Sequence, residues 1–205
     1  MGTQSTIALI LVVVGYLSGA VPWGVVLGKV VRGEDLRSHG SGSTGATNAL
    51  RVLGWRISAA VFLLDFLKGM LPVVLGRALG VDWWWIGLSG VAAVVGHCWS
   101  PFIKFRGGKG MATGGGAVVG MFPWLILIGL LTAAITLLTR YVSLASILTA
   151  IGGVLIALLA AWIGDLPWQA VLATLAISSI IVFKHHENIG RLLNGTERRF
   201  GERAV

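Results

Sequence analysis

Residues 110–139 read GMATGGGAVVGMFPWLILIGLLTAAITLLT, and none of them is charged. As one straight helix the stretch would run about 45 Å, against a hydrocarbon core of about 30 Å. Pro123 falls inside it. A proline removes a backbone donor and clashes with the preceding turn, so it breaks or kinks a helix. The stretch is therefore predicted to form two membrane segments, a short one at 111–121 and a span at 124–139. The orientation of every later segment depends on that split.

Uncharged runs continue on both sides, at 1–28, 83–103, 141–164 and 166–183. The chain is 56% hydrophobic and 12% charged, with a mean hydropathy of +0.86. The usual charged share of a soluble domain is about 25%, so a soluble globular fold is excluded. Most runs meet the roughly 20 residues a crossing helix needs. No charged or Pro/Ser-rich linker divides them, so residues 1–205 are expected to form a single membrane domain. No Lys or Arg precedes Lys29. A signal peptide carries positive charge before its apolar run, so the first segment is expected to be a retained span. The lone cysteine, Cys98, excludes an internal disulfide framework and a multi-cysteine metal site.

The net charge is +8, and all the Lys and Arg except Lys68 and Arg77 fall in five clusters at the edges of apolar runs. Such loops stay cytoplasmic, and this placement suits orientation rather than nucleic-acid binding. Span one (7–31) has charge only after it, which puts the N-terminus outside and the polar loop 32–56 in the cytoplasm. Spans 57–79 and 83–103 return the chain to a second cytoplasmic loop, 104–109. With the split at Pro123, segments 141–163 and 168–183 bring the basic tail from Lys184 back to the same side. The expected fold is an all-α polytopic bundle of seven membrane segments, the fourth too short to cross. Five full crossings with re-entrant helices is the rival count.

Glycines four apart, at 15/19, 24/28, 76/80, 110/114 and 116/120, are the spacing that lets helix backbones approach in lipid. Trp83, Trp84, Trp85, Trp124, Trp162 and Trp168 lie near predicted outer ends and read as an interfacial belt. Asp65 and Lys68 share a helix face within span two and read as an ion pair facing the bundle.

Three cytoplasmic segments carry the polar chemistry. In Ser41-Gly-Ser-Thr-Gly-Ala-Thr-Asn-Ala-Leu-Arg51, small residues leave backbone amides open to an anion. A short helix from Thr44 would place Asn48 and Arg51 on one face, and arginine can grip a phosphate in two places. In Arg106-Gly-Gly-Lys-Gly110, a tight turn aims amides at one point, Lys109 adds a charge, and a helix start follows. There is no Walker A pattern. The third segment, 184–197, is expected to continue the last span out of the membrane, with His185 and Asn188 on one face. Asn194-Gly195 is expected to end its helix. The adjacent His185, His186 and Glu187 project from different sides of a helix, which argues against a metal site. All three segments lie on one side, so they predict one anion-lined site beside the acyl chains of the lipid.

These residues resemble the bacterial acyl-phosphate–dependent glycerol-3-phosphate acyltransferases (PlsY family) along essentially the whole chain. The motifs that carry the resemblance are Ser41-Gly-x-x-Gly-Ala-Thr-Asn48-x-x-Arg51, Gly107-Gly-Lys-Gly110 and His185-x-Glu-Asn-Ile-x-Arg-Leu-Leu-x-Gly-Thr-Glu197. Ser43 departs from the family, which usually has Asn there; serine can still make one hydrogen bond. The resemblance implies acyl transfer from acyl phosphate to glycerol 3-phosphate in phospholipid synthesis, without metal or cofactor. It implies a multi-pass protein of the bacterial plasma (inner) membrane with a cytoplasmic site, served by the soluble enzyme that makes acyl phosphate. Catalytic roles fall on His185, Asn188, Lys109 and Arg51. Substrate contacts fall on Ser41, Gly42, Ser43, Thr47 and Asn48, on Gly107, Gly108 and Gly110, and on Glu187. The hydroxyl proton would pass to His185 or to the departing phosphate. None of His39, His97, His185 and His186 has Asp five residues later, so the His-x-x-x-x-Asp route of other glycerol-phosphate acyltransferases is absent. A transporter or phosphatase for small phosphorylated solutes is the competing class. A transporter would place binding groups near midplane in repeated halves, and no internal repeat is visible.

Overall fold

The computed structural model describes residues 3–202, and among them every regular element is helical. The first apolar run gives α1 (Thr3–Ala20) and α2 (Trp23–Arg32), separated at Val21 and Pro22. The helix breaks there because Pro22 cannot supply the backbone donor at the joint, within what is expected as one span. Together they still make a rod, Gln4–Arg32, with a mean hydropathy of 2.1. α3 (Ala46–Leu53) lies in the first polar loop, and α4 (Trp55–Ala78) and α5 (Trp83–Cys98) are the next two spans. α6 (Met111–Met121) ends at Phe122, a 3₁₀ turn runs over Pro123–Ile126, and α7 (Leu127–Thr139) follows. The division at Pro123 is thus as the sequence predicts. α8 (Val142–Trp162), α9 (Trp168–Lys184) and the short α10 (His186–Leu193) complete the chain. The rod, α4, α5 and α8 are long and apolar enough to cross a membrane, and α9 with α10 makes a fifth if counted as one bent span. α6 and α7 are shorter apolar helices.

Close glycine approaches set the packing. A methyl group at Gly15 or Gly19 would strike the backbone oxygens of Ser89 and Ala93, and one at Gly96 would strike that of Tyr16. α1 and α5 therefore touch backbone to backbone. Gly69 and Gly116 do the same for α4 and α6. Gly80 differs from its predicted packing role: it has φ +64 just after α4 and no neighbour near its missing Cβ, so it is a turn residue. α5 packs against α1, α4, α6 and α9, and its Val94 and Cys98 are fully buried. α7 has no buried residue and leans on α8.

The outward faces are apolar. Leu130, Leu137, Leu138 and Leu155 are all more than half exposed. A surface of that kind suits lipid rather than water. Trp84, Trp124, Trp162 and Trp168 are exposed as a belt requires, whereas Trp83 and Trp85 turn inward against the core.

Candidate active site

The first wall is the loop before α3. Asn48 is 1% exposed. Its side-chain oxygen accepts from the Ser41 amide at 2.8 Å, and its amide nitrogen donates to the carbonyls of Leu36, His39 and Ser43 at 3.1, 3.1 and 2.9 Å. The Asn48 side chain is thus committed to shaping its own loop. Ser43 Oγ accepts from the Gly45 amide at 3.3 Å. α3 starts at Ala46, two residues later than Thr44, with Gly45 as its N-cap. Arg51 on α3 is half-buried, faces the cleft and has no hydrogen-bond partner among the described residues. Burial, and after it the like charge of Arg198, pulls its pKa down; an arginine starts so high that it stays charged.

The second wall is the glycine turn before α6. The Gly107 and Gly108 amides donate to the carbonyls of Cys98 and His97 at 3.3 and 3.2 Å. These two glycines, and Gly42 of the first loop, shape backbone without lining the cleft, whereas Lys109 and Gly110 do line it. Burial, reinforced by the nearby Arg191, pushes the Lys109 ammonium down to about 8.

The third wall is the tail. It does not continue α9 as the sequence suggests. α10 bends away from it by 56° at His185. The Asn194–Gly195 pair then ends α10, with Gly195 at φ +69, and the chain beyond folds back until the Phe200 amide donates to the Arg140 carbonyl at 2.6 Å. This return places Glu197 between α8 and α10. Ser143 Oγ and Asn188 Nδ2 donate to Glu197 Oε1 at 2.8 and 2.6 Å, and Arg191 Nε donates to Oε2 at 2.7 Å. Burial would raise the Glu197 pKa, but those hydrogen bonds outweigh it and hold the carboxyl below its usual range. The other end of the Asn188 carboxamide accepts from Lys109 Nζ. Lysine only donates and a carboxylate only accepts, so Asn188 has one possible orientation.

His185 is 3% exposed and lines the cleft. Its Nδ1 lies 2.7 Å from the Ile181 carbonyl. A carbonyl cannot donate, so Nδ1 carries the proton and Nε2 is left as an acceptor. Burial pushes its pKa down to about 4, against the Ile181 hydrogen bond and with the help of Lys109. Glu187 stands at the rim with 71% of its side chain exposed, 3.8 Å from Arg191.

These walls enclose a cleft of about 410 Å³ that also takes in Ser41, Ser43 and Thr47. The three predicted segments therefore meet in one place. Sequence reasoning missed Ser143 and Ser146, which project from the start of α8 into the cleft. Two serines three apart at the head of an otherwise apolar helix were the available signal. It also missed Arg191 and Arg198 as cleft residues, since basic tail residues are equally explained by orientation. Phe62, Met111 and Val142 give the cleft an apolar flank, and Asp65 and His97 form its floor. Among the described residues, no three His, Cys, Asp or Glu converge as a metal site would need.

An apolar helical bundle with a cation-rich cleft beside its lipid-facing surface defines an integral membrane protein suited to an anionic, lipid-like ligand. Residues 9–195 match the model of the family described as glycerol-3-phosphate acyltransferase, and the chain belongs to that family. It is 42% identical over 195 residues to the glycerol-3-phosphate acyltransferase of Aquifex aeolicus, covering 94% of this chain and 99% of the relative. It is 43% identical over 201 residues to glycerol-3-phosphate acyltransferase 1 of Deinococcus radiodurans, covering 96% and 97%. The fold superposes with a TM-score of 0.88 on a crystal structure of PlsY, an integral membrane glycerol 3-phosphate acyltransferase, in its glycerol 3-phosphate form, at 42% identity over 95% of this chain and 96% of that one. The lysophosphatidic acid form gives 0.85 at 40% identity, over 95% of each chain.

Proposed function

We propose that this protein transfers a fatty acyl group from acyl phosphate to glycerol 3-phosphate, releasing 1-acylglycerol 3-phosphate and inorganic phosphate. The observation that carries the reading is the convergence of Arg51, Lys109, Arg191 and Arg198 on one cleft with an apolar flank. The reaction brings two phosphates together, and their repulsion is strong in a poorly solvated site. Fixed cations offset it. Acyl phosphate is already activated, so positioning and stabilisation of developing charge suffice, and neither a metal nor a covalent enzyme intermediate is required.

The glycerol hydroxyl oxygen attacks the acyl carbon, the bond from that carbon to the phosphate oxygen breaks, and the hydroxyl proton must be taken up. Nε2 of His185 is free to accept, but a group held at about 4 is a weaker base than the departing phosphate, which gains negative charge as its bond to the acyl carbon breaks. In this reading the departing phosphate takes the proton and His185 orients the hydroxyl. His185→Ala should then lower turnover only in part, with a flat pH response of that loss between 6 and 8; complete loss would make His185 the base.

The protein as proposed lies in the bacterial inner membrane as seven segments, the fourth too short to cross, with the N-terminus outside and the cleft in the cytoplasm. The soluble enzyme that makes acyl phosphate would supply the donor. Single cysteines at Ser41, Arg106 and Asn194 in a Cys98→Ala background should all label from the cytoplasmic side. Arg106 is chosen because Gly107 has no room for a Cβ. The decisive assay supplies purified protein in detergent with acyl phosphate and glycerol 3-phosphate and looks for lysophosphatidic acid. Full activity with acyl-CoA alone would overturn the donor assignment, and loss on adding a chelator would overturn the reading that no metal is required.

A further inference from the structure

At the floor of the cleft lies a charged cluster that the proposed chemistry does not use. Asp65 on α4 is 2% exposed and Lys68, one turn further on, is 5% exposed. Their ion pair measures 2.7 Å. Lys68 Nζ also donates to the carbonyl of Val21, at the joint of α1 and α2, at 2.8 Å. Ser18 Oγ donates to the Lys68 carbonyl at 3.3 Å. His97 on α5 turns Nδ1 toward the same Asp65 oxygen at 3.7 Å, an electrostatic contact too long for a hydrogen bond. A buried ion pair is often no more stabilising than apolar side chains of the same size, so packing alone does not account for it.

The far side of His97 supplies a role. Its carbonyl accepts from the Gly108 amide. A methyl group at Gly107 would strike that carbonyl, and one at Gly108 would strike His97 Nε2 and come within 2.9 Å of Thr44 Oγ1. In the glycine turn, Gly107 therefore abuts the main chain at His97 and Gly108 abuts the His97 ring, with Thr44 of the first polar loop against it. Thr44 is itself held, since its carbonyl abuts Gly24 of α2. Lys109 is the first residue after the turn.

We infer that His97 is a positioning residue: its ring, steadied by the Asp65–Lys68 pair, is the seat that sets the Gly107–Gly108 turn and thereby the place of the Lys109 ammonium. The inference rests on Lys109 being a phosphate ligand, as proposed above. Lys68 acts as well by cancelling the charge of Asp65, which lines the cleft and would otherwise repel the phosphates.

The test is a double-mutant cycle on the full-length protein in detergent, with acyl phosphate and glycerol 3-phosphate as substrates. His97→Ala is expected to lower kcat/KM at least tenfold, chiefly through kcat, the parameter that Lys109→Ala lowers. In a Lys109→Ala background the same change should cost less than twofold, because coupled residues do not add. His97→Gln, whose longer side chain can place its amide nitrogen where Nε2 meets Gly108, should recover most of the loss. His97→Asn reaches only the Asp65 side, should lose activity, and provides a second cycle if the Ala variant does not fold. Multiplicative losses in the cycle, or no difference between Gln and Ala, overturn the inference and leave the role of Lys109 intact. A harmless Lys109→Ala instead removes the reading on which it stands. Lys68→Met should raise KM, and Asp65→Asn/Lys68→Met should restore it; a double variant as impaired as the single one overturns the charge-cancelling part.

Discussion

Asn48 and Asn188 are 1% and 4% exposed, each on a short helix at the edge of the cleft, yet their side chains do opposite things. Asn48 turns into its own loop and bonds only to main-chain groups of residues 36–43. Asn188 reaches out of its helix, taking a bond from Lys109 and giving one to Glu197. The first fixes a shape and leaves the neighbouring Arg51 free. The second fixes the relative places of two charges that lie far apart in the chain. A carboxamide among carbonyls is a staple, and one between a pure donor and a pure acceptor is a spacer.

The contrast can be broken from its strongest side first. Lys109→Ala removes the charge that Asn188 places, and turnover should fall about a hundredfold, the usual loss for one preorganised charge-stabilising group. Titration offers a milder form of the same change. Lys109 is protonated below about 8 and neutral above it, so kcat/KM should fall as pH rises through that value. A profile flat to pH 10 would show that its charge is not used. Asn188→Ala should cost about tenfold in kcat/KM with Tm nearly unchanged, and Arg51→Lys, which keeps the charge but loses the planar fork, should cost about as much. Asn48→Ala should do the reverse. It leaves buried carbonyls unpaired, each worth about 1–3 kcal/mol, so Tm in detergent should drop while the folded fraction keeps most of its kcat. If Asn48→Ala lowers kcat with Tm intact, the distinction between staple and spacer fails. The smallest effect belongs to Ser43→Asn, expected within twofold, because the Ser43 side chain makes a single 3.3 Å bond to Gly45.

Much of the fold was legible because the bilayer dictates helix length. Proline marked the division between α6 and α7, and small-residue spacing marked the α1–α5 and α4–α6 contacts. The same rules read Gly80 as a packing residue and did not mark the helix break at Pro22 within the first span, since a run of apolar residues does not show where a backbone bond is lost or a turn begins. The three polar segments were legible as partners because topology puts them on one side. What each side chain touches was not. Spacing put Asn48 and Arg51 on one face, and only the folded loop shows that Asn48 is committed elsewhere. The contact of Glu197 with Ser143 joins distant parts of the chain, that of His97 with Gly108 depends on how the loop between them folds back, and no local pattern announces either.

The bend at His185 has a bearing on how the protein is made. Synthesis runs from the N-terminus, so every apolar helix through α9 is finished before the tail emerges. A chain that stops at Lys184 would hold all of those helices but lack Asn188, Arg191, Glu197 and Arg198. Lys109 would then face an unfinished wall, without the partner that fixes it. Insertion and the assembly of the cleft are thereby separate: the apolar helices suffice for the first, and the second waits on the bend at His185 and the wall beyond it.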